Sequence, residues 1–453
     1  MKLLLLLLTV VLSGMAQDDS PAKEVVAPPP PAESPVPTVE SWVTGTVDFG
    51  YRWRTDVGGS FDSYRSVVDF GSGPKLFGAD FSIVDPTKRL FDRLDIRALN
   101  WGDDPYSTTH VGAQKNRVYE FSMDYRNMAY FNALPSFANP LLSRGSLLSE
   151  RSFDIRRKLA TMQLDLRPGS SIIPYFAYER SSGNGRGVTT FVSDANEYAV
   201  PNRLRDANDT YRGGVRFEFR RFHATGEVGA TAFKDDQQLF EASPSNLGNR
   251  DTPFLGQRLF LTNLQQSYGV RGNGLFSKVL FTSNAFSWLD LYGHFLYSRP
   301  ETDTNYQQFN TGNFAISNAA LFTTSQQFAL ASSARMPHTA GSAGAEIRPW
   351  SRARVMVSWL TDRIENSGTA NFDALLRNEY NQSDVDLILD LTRQVTVRGG
   401  YRYVWGDART AVTPVSGLLT QETADLRRHV GKGGFTYRPL TRLTVSADVE
   451  AAA

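Results

Sequence analysis

The sequence predicts an all-β protein, a transmembrane antiparallel β-barrel of a bacterial outer membrane. Three observations carry that expectation. The chain opens on a secretory leader, alternates polar and apolar residues at period two over most of its length, and joins its alternating segments by short turns and long polar stretches in turn.

The leader comes first. Lys2 supplies a positive start, residues 3–12 are almost wholly apolar, and Gly14-Met15-Ala16 places small residues at a cleavage point. Residues 1–16 therefore read as a signal peptide. The apolar run is about half of what a membrane-spanning helix needs. No cysteine follows it, which argues against a lipoprotein. Residues 17–40 change character: Pro28-Pro29-Pro30-Pro31 lies between Pro21 and Pro35, with Ala, Val, Glu and Ser between them. Such a stretch has too little apolar surface for a core and reads as an extended periplasmic linker. The barrel is expected over residues 41–453.

Composition narrows the class. The 48 basic and 47 acidic residues nearly cancel, so no nucleic-acid partner is implied. The absence of cysteine removes disulfides, thiolate metal sites and covalent haem attachment. Aromatic residues are plentiful, with 29 Phe, 18 Tyr and 7 Trp, as suits strands with one oily face.

The alternation then assigns the faces. Tyr119, Phe121, Met123 and Tyr125 alternate with Glu120, Ser122, Asp124 and Arg126. Ala160, Met162, Leu164 and Leu166 alternate with polar residues in the same way, and Val385, Leu387, Leu389 and Leu391 lie opposite Asp384, Asp386 and Asp390. Neighbouring side chains on a strand point to opposite faces, so each segment is half oily and half polar. The clearest segments run about nine to eleven residues, the length of a tilted membrane-crossing strand. About 16 strands are expected, with 64–83 and 269–282 the hardest to place.

The connections are asymmetric. Arg167-Pro168-Gly169, Arg220-Arg221, Pro349-Trp350-Ser351, Thr392-Arg393-Gln394 and Arg438-Pro439 each join two strands within a few residues. Between them lie residues 181–210, 235–266, 299–338, 362–382 and 407–428, rich in Asn, Ser, Thr, Gly and Asp, which read as long polar loops. Short turns on one side and long loops on the other match outer-membrane barrels. The last alternating segment, Leu443, Val445, Ala447 and Val449, carries no terminal aromatic residue, so the chain reads as compatible with a fragment of a larger barrel.

The N-terminal third adds a resemblance. Leu94-Asp95-Ile96-Arg97-Ala98-Leu99-Asn100-Trp101-Gly102-Asp103-Asp104-Pro105, then Gln114-Lys115-Asn116-Arg117-Val118-Tyr119-Glu120-Phe121 and Asp124-Tyr125-Arg126, resembles the early strands of the MtrB/PioB family. That resemblance implies a large outer-membrane barrel that sheathes a multihaem cytochrome.

No reaction centre stands out. The five histidines are dispersed, without metal-ligand spacing, and neither a nucleophile elbow nor a phosphate loop occurs. Asp103-Asp104 and Asp235-Asp236 have the chemistry for calcium, though adjacent acids in a polar loop are usually just solvated. His294 lies in the inward register, where a hydrogen-bonded wall residue is a plainer reading than a catalytic base. The informative set is the polar face: Arg93, Asp95, Arg97, Glu120, Asp124, Arg126, Arg216, Glu218, Asp290, Asp386, Arg398 and Arg402 are expected to line the interior. The function expected is passive: a porin-like channel for small polar solutes, without cofactor or enzymatic activity. The alternative is a sheath or scaffold for a periplasmic redox or binding partner, a multihaem cytochrome in the redox case. Expected partners are outer-membrane lipid, the barrel-assembly machinery and a periplasmic protein.

Overall fold

The computed structural model describes residues 42–453 apart from 57, 60, 62–63, 66–70, 103–104, 133–152, 195, 243–245, 251, 317–318, 320, 370–372 and 414–416. The signal peptide and the Pro-rich linker lie outside the described residues, as does Asp103-Asp104.

The described chain is one antiparallel sheet of 18 strands. It begins with β1 (Val43–Arg52), β2 (Gly73–Val84), β3 (Arg93–Trp101), β4 (Tyr106–Lys115), β5 (Tyr119–Asn132) and β6 (Phe153–Leu166). A taller group follows: β7 (Ile172–Ser193), β8 (Asn196–Phe219), β9 (Phe222–Glu241), β10 (Phe260–Phe286), β11 (Leu289–Ile316) and β12 (Leu321–Arg335). The last third comprises β13 (His338–Trp350), β14 (Ala353–Thr369), β15 (Asp373–Asp390), β16 (Val395–Thr413), β17 (Thr420–Leu440) and β18 (Leu443–Ala452). Residue pairings join neighbours in chain order, from β1–β2 through β17–β18, except that β11 pairs with both β12 and β13 and β14 with both β12 and β13. Among the described residues no pairing register joins β1 to β18.

The count of 18 exceeds the expected 16, and one physical detail explains part of it. β12 pairs with the upper half of β11, while β13 pairs with its lower half. The two are one descending path interrupted at Met336-Pro337. Pro337 has no N–H for the ladder, and the adjacent Met336 N–H bonds instead to the carbonyl of Pro300 at 3.0 Å.

The larger correction concerns the long loops. Residues 181–210 are the upper β7–β8 hairpin, paired without a register shift to Ser193↔Asn196. Residues 299–338 are mostly β11 and β12, and residues 362–382 and 407–428 are mostly strand as well. β11 alone has 28 residues, about 90 Å of extended chain, against the nine to eleven that cross the hydrocarbon layer. Above the bilayer the outer face meets water in place of lipid, so the ladder persists while the requirement for an oily outer face ends. Polar strands of this kind look like loops in sequence.

These tall hairpins hold the buried core. Tyr198, Val200, Leu261, Leu264 and Phe314 are 0% exposed, with Phe191 and Leu239 beside them. Asn246, in the β9–β10 connection, is pinned there. Its side chain donates to the Ala199 carbonyl at 3.1 Å and to Glu241 at 3.0 Å, and its backbone bridges Leu261 in both directions.

Candidate functional site: the charged inner wall

The strand pairings carry all twelve polar-face residues onto one face of the sheet. Glu120 pairs with Asp165, Asp165 with Tyr175, Tyr175 with Gly214, Gly214 with Glu227, and Glu227 with Lys278. Arg216 and Glu218 follow Gly214 at even spacing, and the same path continues to Asp290, Asp386, Arg398 and Arg402. The opposite face carries Phe176, Val228 and Leu275, which are 58%, 63% and 64% exposed. In a bilayer that face meets lipid, which places the charged face inside.

Eight of the twelve are ion-paired within the wall, and Asp124 and Glu218 each lie against a histidine. Arg97 reaches Asp80 at 2.9 Å, Arg93 reaches Asp95 at 2.8 Å, and His110 Nδ1 lies 2.9 Å from Asp124. Arg216 binds Asp165, Arg348 binds Asp290, and His223 lies 2.5 Å from Glu218. Arg398 reaches Asp448 at 3.1 Å. Glu120 and Arg126 form no ion pair among the described residues.

Two junctions are the most enclosed. Asp384, with its side chain 10% exposed, accepts from Arg402 Nε at 2.7 Å and Lys432 Nζ at 3.0 Å, and Lys432 also approaches Asp386 at 3.6 Å. Glu227, 3% exposed, accepts from the Tyr175 hydroxyl at 2.5 Å and from Lys278 at 2.9 Å. Opposite charges paired within a strand or across one or two strands compensate one another along the wall. Sequence reading put Asp384 on the polar face without naming it as a wall candidate, and missed Glu227, Lys278 and Lys432, which period two places on the same face.

The remaining candidates resolve simply. His294 Nδ1 sits 2.8 Å from the Ser342 hydroxyl, a wall hydrogen bond. Asp235 and Asp236 lie within β9, not in a loop, so they point to opposite faces and do not converge on one ion. Among the described residues no group of three His, Cys, Asp or Glu side chains could hold a metal.

No protein-family profile and no curated protein matches the chain. Solved structures similar to it include the ferric-catecholate import receptor Fiu from E. coli K12 in its open form, 9% identical over 82% of this chain and 71% of that one, with a TM-score of 0.32. The ferric yersiniabactin uptake receptor FyuA from Yersinia pestis is 9% identical over 83% and 76%, TM-score 0.32. The siderophore receptor PiuA from Acinetobacter baumannii is 10% identical over 84% and 76%, TM-score 0.32. These neighbours are receptors for uptake, not passive porins, and the expectation of a porin-like passive channel is corrected on that finding. At such identity no cargo carries over to this chain. The protein is an outer-membrane β-barrel whose membrane-crossing belt carries charged residues on one face and apolar residues on the other.

Proposed function

We propose that this chain is the wall of an outer-membrane conduit whose selectivity resides in a periplasmic partner at its turn-side mouth. The observation that carries this reading is the self-pairing of the inner wall. With eight of the twelve charges ion-paired within the wall and two more bonded to histidines, the wall presents a polar surface whose charge is largely compensated. Such a surface suits a protein or a water-filled path better than a ligand-selecting site. The resemblance of the N-terminal third to the MtrB/PioB family points the same way and supplies the redox version, in which the partner is a multihaem cytochrome.

The test is photo-crosslinking in cells from the short turns, at Arg117 and Arg167, followed by haem staining and sequencing of what is joined. The reading expects one periplasmic protein, joined in stoichiometric yield. A barrel that crosslinks to nothing, and alone in planar bilayers discriminates among solutes, contradicts it.

A further inference from the structure

The outer face of β6–β11 changes chemistry in steps of two residues, and the paired registers align those steps across six strands. One row reads Leu164, Phe176, Gly213, Val228, Ser277 and Tyr297. The next, about 7 Å higher, holds Met162, Tyr178, Tyr211, Ala230, Leu275 and Arg299, with the two tyrosine rings 5.0 Å apart. Arg180 and Asp209 follow, paired at 2.9 Å. The three rows above carry seven cations, namely Lys158, Lys234, Arg271, Arg156, Arg205, Arg186 and Arg203, against three carboxylates, Asp154, Asp236 and Asp303.

Two hollows are stacked on this face. The lower, about 670 Å³, is walled by Met162, Leu164, Phe176, Tyr211, Val228 and Leu275. The upper, about 1440 Å³, is lined by Arg156, Arg186, Arg203, Arg205 and Arg271 together with the three carboxylates. Arg271 is held by Asp236 at 2.6 Å, Arg186 lies 3.9 Å from Asp154, and Arg203 covers the Phe240 ring at 5.1 Å. Arg156 and Arg205 are exposed and pair with no carboxylate among the described residues.

The far sector differs. On β14–β16 the outward charges balance: Arg363 pairs in register with Glu379 and Asp407, and Glu365 with Arg377 and Arg409, three cations against three carboxylates. That balance contrasts with the positive excess on β6–β11.

We propose that the β6–β11 exterior binds a phosphorylated glycolipid of the outer leaflet. Its acyl chains lie in the apolar hollow and its phosphates on Arg156, Arg205 and their neighbours. An apolar groove below a tyrosine row and a cationic hollow above it match an amphiphile with an anionic head, part of its hydrocarbon in the groove and its phosphates on the arginines. Guanidinium groups suit phosphate because they donate two parallel hydrogen bonds to its oxygens.

The experiment uses the full chain refolded in neutral detergent, its assembly checked by unheated gel mobility. Binding of diphosphoryl lipid A is compared with binding of the same lipid stripped of phosphate. The proposal expects the phosphorylated lipid to bind at least about tenfold more tightly, and the double variant Arg156→Gln/Arg205→Gln to lose about tenfold. The charge-matched control Arg363→Gln/Arg409→Gln should keep wild-type affinity. Millimolar inorganic phosphate should not displace the lipid. Equal binding of the stripped lipid to the wild-type chain overturns the proposal, whatever the variants do. Full displacement by inorganic phosphate, or an assembled double variant with unchanged affinity, overturns it as well.

Discussion

The belt that crosses the membrane and the tall head of β7–β11 above it share one ladder, its register shifting only near the ends of β10, yet their faces are opposite in chemistry. In the belt, Phe176, Val228 and Leu275 point outward, while Tyr175, Glu227 and Lys278 point inward. In the head, Phe191, Tyr198, Val200, Leu239 and Leu264 occupy the inward register and are buried, while Arg203, Arg205, Asp236 and Gln238 take the outward one. The same alternation has exchanged its sides. Lipid outside and water inside select one phase, and water outside selects the other. The backbone pairing is indifferent to that exchange, which is how a single strand serves both media.

The largest expected effect separates the two regions. Leu261→Ala empties part of a fully buried cluster and should destabilise the head by about 2–5 kcal/mol. Hydrogen exchange should accelerate in upper β7–β11 while the unheated barrel keeps its gel mobility. Loss of the whole barrel would show that belt and head fold as one unit.

In the belt, Leu387→Arg puts a charge on the lipid face and should cost about 2–4 kcal/mol near the bilayer centre. Asp386→Asn loses only a 3.6 Å contact with Lys432, which Asp384 still holds, and should leave refolding into liposomes nearly unchanged. A more harmful Asp386→Asn would invert the face assignment. Next in size is Asn246→Ala, which leaves the Ala199 carbonyl and Glu241 without their donor and should cost about 1–3 kcal/mol. Protease cutting within residues 242–259 would report it, and an unchanged cutting rate would refute the pinning.

The belt was readable because hydrocarbon forces strict alternation. Met162 and Leu164 or Leu387 and Leu389 cannot be exchanged with their polar neighbours without exposing charge to lipid, so the pattern survives in sequence. The head was not readable for the converse reason. Its inward apolar residues, such as Phe191, Val200 and Phe314, are separated by polar residues that water leaves unconstrained, and the segments look like loops. The twelve wall residues were placed on one face by period two alone. Their ion pairs were not, since strand register decides which Arg meets which Asp. The exterior arginines escaped notice altogether, because Arg203 and Arg205 were assigned to a loop and no face was given them.

The smallest effect lies at the periplasmic β2–β3 turn, away from both regions. The Thr87 hydroxyl, 2.7 Å from Asp85, with the amides of Thr87 and Arg89, pulls the Asp85 carboxyl from its ordinary 3.8 down to about 2. Because the folded value is the depressed one, the turn keeps this support above about pH 4 and loses it as pH falls toward 2. Amide exchange at Thr87 and Arg89 should speed up over that window. Thr87→Val should raise the carboxyl, and an unchanged titration would refute the assignment.

The central claim is that one continuous register divides the sheet into a lipid face and a water face, and the chain's lack of cysteine makes it directly testable. Single substitutions Asp386→Cys and Leu387→Cys, refolded into liposomes, are exposed to a water-soluble maleimide and, separately, to a lipid-borne quencher of a fluorophore attached before refolding. The account predicts that Asp386→Cys is labelled readily and its fluorophore is poorly quenched, whereas Leu387→Cys resists the maleimide and is strongly quenched. The reverse pattern, or equal labelling of both positions, would contradict it.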